Sequence, residues 1–152
     1  MAEDRDGALR IRDYRSADHA AVLALQAAAD ADLGALVPDD FYRDLQQVET
    51  TYAGGAFLIA EVSGHVAGMG GLLRTGEVVR MRVDAGFRRR GVARQLLEAL
   101  LLRARRLGMA RVFLHTLTMQ HAAQNLYVQA GFHKVGRGEV HGNAVIAYEK
   151  WL

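Results

Sequence analysis

The sequence predicts a mixed α/β sheet within one domain, and three observations carry that expectation. The chain has 152 residues, the size of an ordinary domain and long enough to bury a core without staples. Hydrophobic residues make up 51% and charged residues 24%, a globular balance that argues against disorder. Along the chain, segments that alternate apolar and polar residues are interleaved with segments of helical periodicity.

Residues 1–7 read as a flexible tail. Leu9 to Tyr14 alternates apolar and polar residues and predicts a strand. Ser16 is placed as the N-cap of a helix running to about Leu25–Ala29. Asp30 to Pro38 is expected to be a loop. Pro38-Asp39-Asp40 then opens a second helix with Phe41, Tyr42, Leu45 and Val48 on its apolar face. Ala56 to Val62 is an apolar strand, Ser63-Gly64-His65 a tight turn, and Val66 to Leu73 the returning strand. Glu77 to Val83 is the next strand. Gly91 to Leu107 is the clearest helix, with Ala93, Leu96, Leu97, Leu100, Leu101 and Ala104 as its apolar stripe and Gly108 as its stop. Arg111 to Thr116 is a strand and Gln120 to Ala130 a short helix ended by Gly131. Phe132 to Val140 and Ala144 to Trp151 close the chain as an antiparallel pair around His141-Gly142-Asn143.

Composition excludes several chemistries. There is no cysteine, so disulfides, cysteine-ligated zinc, iron–sulfur clusters and a thiol nucleophile are ruled out. No apolar run approaches the ~20 residues of a membrane span, and Met1 to Asp6 is polar and acidic. A cytoplasmic protein with no membrane partner is expected. The net charge of +2 hides an asymmetry. Residues 1–50 hold eleven Asp/Glu against five Arg, whereas residues 80–111 hold ten Arg against Asp84 and Glu98. The middle of the chain therefore suits an anionic partner. Nucleic acid is disfavoured by the near-balanced total and the few aromatics around the arginines.

The strand at Val78–Val83 leads through Asp84-Ala85-Gly86-Phe87 into Arg88-Arg89-Arg90-Gly91-Val92-Ala93. A helix N-terminus carries about half a positive charge and unpaired N–H groups. Three arginines in front of it oppose that dipole unless an anion sits there. Gly91 and Ala93 are small enough for a bulky anion to approach the backbone, so the segment reads as a phosphate or pyrophosphate cradle. It has neither the Gly-Lys-Ser/Thr of a P-loop nor the G-x-G-x-x-G of a dinucleotide fold.

Arg88-x-x-Gly91-x-Ala93 after a strand resembles the acetyl-CoA signature R/Q-x-x-G-x-G/A of the GNAT N-acetyltransferase superfamily. Gln120 to Phe132, with Ala123, Leu126-Tyr127 and Gly131-Phe132, is similar to that family's N-x-x-A-x-x-L/F-Y-x-x-x-G-F. The resemblance covers nearly the whole chain. It implies one domain over 1–152, a mostly antiparallel sheet splayed between the fourth and fifth strands, and about four flanking helices. It implies acetyl-CoA as co-substrate; no metal is expected, because the histidines offer no ligand spacing. Backbone groups of Met81, Arg82 and Val83 would pair with the pantetheine arm like an added strand. N–H groups from Arg89 to Arg94, through Arg90, Gly91, Val92 and Ala93, would hold the pyrophosphate, an arginine among Arg88, Arg89, Arg90 and Arg94 would grip the 3′-phosphate, and Gln120 would join the cofactor site.

Acetyl transfer needs a neutral amine, a polarised carbonyl and a stabilised leaving thiolate. A backbone N–H near Met81 to Val83 can polarise the carbonyl. Tyr127 matches the family's tyrosine that donates to the departing sulfur, although a phenol near 10 facing a thiol near 8.5 is about 1.5 units the wrong way for full transfer. Glu77 is a candidate general base, and Glu61 a weaker one. Asp84 is expected to shape its turn. Of the histidines at 19, 65, 115, 121, 133 and 141, none forms a metal-ligand spacing, and His115 reads as an interior or rim residue. Asp30, Asp32, Asp39 and Asp40 with Phe41 and Tyr42 map to the region that shapes the family's acceptor pocket. The expected reaction is acetylation of a primary amine, of a small molecule, by direct attack in a ternary complex. A protein N-terminus or lysine as acceptor, and a non-catalytic acyl-CoA-binding domain, stand as alternatives. A homodimer fits the sequence as well as a monomer does.

Overall fold

In the first half of the chain, apolar runs separated by tight turns fold back on one another as antiparallel strands. The computed structural model describes residues 7–34, 37–38 and 40–152. The elements are β1 (Leu9–Asp13), α1 (His19–Leu33), α2 (Arg43–Gln46), α3 (Val48–Thr51), β2 (Ala56–Val62), β3 (His65–Leu72), β4 (Val78–Val83), α4 (Val92–Arg106), β5 (Arg111–Leu117), α5 (His121–Gln129), β6 (His133–Val140) and β7 (Asn143–Trp151). The strands form two sheets, β1-β2-β3-β4 and β5-β7-β6, antiparallel throughout. Between β4 and β5 the described residues share one parallel bridge, Glu77 with Phe113. Beyond it the strands part, as the expected splay requires.

The first sheet is covered on both faces, and the residues of β2 show how. Ala56, Leu58, Ala60 and Val62 join the larger core with Leu96, Leu97, Leu100 and Ala104 of α4. Phe57 and Ile59 point the other way, into a second core with Val22 and Leu25 of α1 and with Leu45, Val48 and Tyr52. A strand buried on both faces has no polar side, which is why this one reads as a continuous apolar run. On β3, a Cβ at Gly70 would lie 2.6 Å from the Met81 sulfur and 3.0 Å from Leu100 Cδ1, so only glycine lets α4 approach so closely. The second sheet is built differently: β6 is an edge strand with every residue exposed.

The acidic first third departs from its expected layout. Ser16 caps no long helix; it opens a single 3₁₀ turn, Ser16–Asp18, and α1 begins at His19. The cause is Asp18, whose carboxylate accepts from Arg12 Nη1 and Nη2 and from the Arg15 backbone N–H, each at 2.8 Å. That buried anchor fixes the chain before the helix can start. Helix α1 continues four residues past Ala29, to Leu33, so the first four residues of the expected Asp30–Pro38 loop are helical. The expected second helix is two four-residue helices, α2 and α3, broken at Gln47, where φ is −137° and ψ 45°. Phe41 and Tyr42 lie in the turn before them. The Asn143 expected in the last turn belongs to β7. Residues 1–6 of the expected tail, and Asp39, lie outside the described residues.

The Arg12 hydrogen bonds hold the Asp18 pKa below the usual carboxylate range. A lowered native value contributes stability at every pH above the unfolded value, about 3.9, and that contribution is lost as pH falls through the native value. Urea midpoints measured from pH 6 to pH 2 should therefore drop more steeply for the wild type than for Asp18→Asn, which has no proton to gain. Parallel acid limbs would show that the pair adds nothing.

Candidate active site

The splay leaves one edge of β4 bare. Its inner edge pairs with β3, and its outer edge has no partner strand past Glu77 among the described residues. Unpaired strand N–H and C=O groups accept an extended ligand as an added strand. Pairing with β3 is itself irregular: Met69 stands opposite Arg82 and Gly71 opposite Val79, so Gly70 spans both Arg80 and Met81. This is a β-bulge, with Arg80 at φ 59°. A left-handed arginine in a strand is strained, and its side chain shows what holds it. Arg80 Nη2 donates to Asp44 Oδ1 at 2.6 Å and to the Phe41 carbonyl, Nε donates to Asp44 Oδ2 at 3.1 Å, and the guanidinium lies 4.3 Å from the Phe41 ring centre. Tyr52 donates to the same carboxylate at 2.6 Å. The sequence pointed to none of this network, because its members come together only in the fold.

At the far end of β4, Asp84 accepts from Gly86 N–H at 2.8 Å and turns the chain through Ala85–Phe87. Gly91 is the N-cap of α4 at φ 76°, and a Cβ there would meet only Arg94 Nη2, at 3.8 Å. The space before the first free N–H groups of α4 is thus open, the condition for a pyrophosphate to reach them. Val92 is buried and Ala93 half-buried, so backbone rather than side chain is on offer. Arg88 is engaged with Asp32 at 3.3 Å, both exposed, and Arg90 lies over Phe87. Arg89 and Arg94 have no partner among the described residues and are free to turn to phosphate.

A cavity of about 500 Å³ opens beside the splay. Leu33, Phe41 and Tyr52 line one side, Glu77 to Arg82 the floor, and His115 to Leu117, Gln120 and Tyr127 the other side. Val140, His141 and Asn143 bring the β6–β7 turn over it, with His141 edge-on to Phe41. Met81 packs toward the core against α4, with Val83, while Arg82 lines the cavity. Tyr127 is buried yet has no hydrogen-bond partner among the described residues. Burial pushes its pKa up to about 12, against the opposing charge of Arg82. Glu77 Oε2 lies 3.6 Å from His115 Nδ1. His115 is thus a rim residue, as expected, and one that faces the candidate base. Gln120, which lines the cavity, spends its carbonyl oxygen on Leu117 N–H at 3.0 Å and Thr116 Oγ1 at 3.1 Å, and this ties down the β5–α5 turn. Glu61 is elsewhere: it pairs with Arg12 at 3.5 Å and does not line the cavity. Of the acidic segment, Asp30 lines the cavity and accepts from Tyr42 O–H at 2.6 Å and Gln26 Nε2 at 2.9 Å. Asp32 and Asp40 do not line it. Among the described residues no cluster of His, Asp and Glu is arranged to hold a metal ion, and no helix is long and apolar enough to cross a membrane.

A sheet that opens between two strands, beside a helix begun by glycine and a tyrosine in the opening, defines the acetyltransferase class of fold. Residues 22–132 match the Acetyltransferase (GNAT) family, and the chain belongs to it. It is 32% identical over 106 residues to human N-acetyltransferase 8; the match takes 62% of this chain and 47% of that protein, so the chain spans about half the length of this curated relative. Its fold is shared with a GNAT-family acetyltransferase of Staphylococcus aureus Mu50 (TM-score 0.86, 20% identity, 95% of this chain and 99% of that one). It is also shared with yncA of Salmonella typhimurium, solved with its cofactor acetyl-CoA (TM-score 0.80, 22% identity, 95% and 94%).

Proposed function

We propose that the chain is an acetyl-CoA-dependent N-acetyltransferase that acetylates a primary amine of a small molecule by direct attack. The observation that carries this reading is the continuity of the site: the bare edge of β4 runs from the cavity holding Tyr127 to the open helix start at Gly91. The acetyl-CoA bound to yncA supports the choice of donor. Acetyl-CoA supplies an activated thioester. The chain supplies the rest: β4 backbone to align the pantetheine arm, the α4 N-terminus with Arg89 and Arg94 for the phosphates, and the bulge at Arg80–Met81 for backbone donors near the thioester carbonyl. Glu77, backed by His115, is placed to take the proton of the attacking amine, and Tyr127 to donate to the sulfur. The absence of cysteine supports direct transfer, since no thiol can carry the acetyl group. The cavity volume suits a small acceptor.

Thermal melts test the donor. At a hundredfold excess over its Kd, CoA should stabilise the fold by about 2.7 kcal/mol, raising Tm by roughly 5–10 °C. The shift should shrink with dephospho-CoA if Arg89 or Arg94 grips the 3′-phosphate. Equal shifts would assign both to the pyrophosphate or to solvent, and no shift would reject the donor. Thiol release with a panel of amines then separates an enzyme from a non-catalytic acyl-CoA-binding domain.

A further inference from the structure

Two arginines project from the floor of the cavity, and only one is neutralised. Arg80 is bound to Asp44. Arg82 has no carboxylate within ion-pair distance among the described residues. Its Nη1 donates to the carbonyl of Met81 at 2.8 Å, while its Nε is buried without an acceptor. The donor left open to the cavity is Nη2, which can take one oxygen of a carboxylate in a charge-assisted hydrogen bond. The acids in the wall are otherwise engaged: Asp44 by Arg80 and Tyr52, Asp30 by Tyr42 and Gln26, and Glu77 faces His115.

We propose that the acceptor carries a carboxylate next to its amine, as an α-amino acid with an apolar side chain does, and that Arg82 holds that carboxylate. The inference rests on the acetyl-transfer reading and names its acceptor class. The position follows from the cavity: Arg82 and Tyr127 line it together, so an anion on Arg82 sits in the same pocket as the reacting amine. Acetyl-CoA is not the anion concerned, because its phosphates belong at Gly91–Arg94, past the end of β4, and its pantetheine arm is neutral. Burial lowers the Arg82 pKa, the mark of a charge whose solvation nothing replaces. The apolar side chain is called for by Leu33, Val37, Phe41 and Leu73, which line the same cavity. Glu77 and His115 complete the match, facing the amine while Arg82 faces the acid.

Matched acceptors test this: phenylalanine with 2-phenylethylamine, and leucine with 3-methylbutylamine, each amine being its amino acid without the carboxylate. Thiol release from acetyl-CoA should give the wild type a kcat/KM for the acids about ten- to a hundredfold above that for the amines, the range of a charge-assisted pair. Arg82→Gln should collapse that ratio toward one, chiefly through KM for the acids. Arg82→Lys, which keeps the charge on a different donor, should retain part of it and covers the case in which Arg82→Gln does not fold. Equal or amine-favouring ratios in the wild type, or a ratio unmoved by either substitution, overturn the proposal. Turnover of neither pair by protein that binds acetyl-CoA in calorimetry overturns it as well. Failure to bind acetyl-CoA overturns instead the reading on which it rests.

Discussion

Gly91→Glu should weaken acetyl-CoA binding by at least about a hundredfold, near 2.7 kcal/mol. One effect acts on the fold and two act on the ligand. Gly91 sits at φ 76°, where an L-residue pays about 1–2 kcal/mol. The position caps α4, so a side chain there stands in front of the free N–H groups that would take the pyrophosphate. A carboxylate would also place negative charge where the ligand's own negative charge belongs, competing for the helix dipole and for Arg89 and Arg94. Backbone strain is separated from occlusion by Gly91→Ala. Its Cβ would meet only Arg94 Nη2 at 3.8 Å, so that variant should lose stability but retain most of its affinity. Calorimetry with acetyl-CoA on both folded variants decides. Unchanged affinity in Gly91→Glu would move the phosphates away from α4.

What the sequence disclosed tracks the range over which each feature is determined. β2 and α4 were legible because their patterns are local: an unbroken apolar run for a doubly buried strand, and a leucine stripe at helical spacing for a helix lying on a sheet. Gly91 and Tyr127 were legible from motif spacing within a dozen residues. The boundaries that went astray are set by partners far off or by side chains that outcompete a cap. Ser16 has the right chemistry for an N-cap, yet Asp18 is drawn to Arg12 on β1 and fixes the turn first. Phe41 and Tyr42 look helical by spacing. However, the Phe41 carbonyl and ring are held by Arg80, 39 residues on, and Tyr42 donates to Asp30 on α1.

The same reasoning applies to the site. Glu77 could be nominated from its place before the cradle, but its neighbour His115 reaches it only because β5 bridges to β4 at Glu77–Phe113. Arg80 and Arg82 differ by two positions in one strand and are indistinguishable as letters. The bulge at Gly70 turns Arg80 onto Asp44 and leaves Arg82 without an acid, a difference made by backbone register. Tyr127 is the reverse case, nominated by motif and then changed in character by its surroundings. Its expected mismatch with a thiol, about 1.5 units, becomes about 3.5 with the hydroxyl at about 12. That is roughly 5 kcal/mol against complete proton transfer. Burial thus moves Tyr127 away from the role of full acid and toward that of a hydrogen-bond donor that stays protonated at any working pH.

Tyr127→Phe should accordingly lower kcat by about 10²–10³, the range for removing a positioned hydrogen-bond donor to developing negative charge, while leaving acetyl-CoA affinity nearly unchanged. The hydroxyl has no partner among the described residues, so its removal breaks no hydrogen bond of the resting fold. The ring keeps its edge-on contact with Phe132 at 5.8 Å between centres and its tilted contact with Tyr148 at 6.3 Å, so the core should survive the change. An interaction that strengthens only as negative charge builds on the sulfur acts on kcat and kcat/KM together. The raised pKa adds a second expectation. The wild-type rate should show no basic limb from Tyr127 below about pH 10, because the group titrates only above that, near 12. Steady-state kinetics of both proteins from pH 6 to 10, with a thermal melt of each, make the measurement. Full kcat in a variant that melts with the wild type would leave Tyr127 a packing residue, and departure of the sulfur would then fall to solvent.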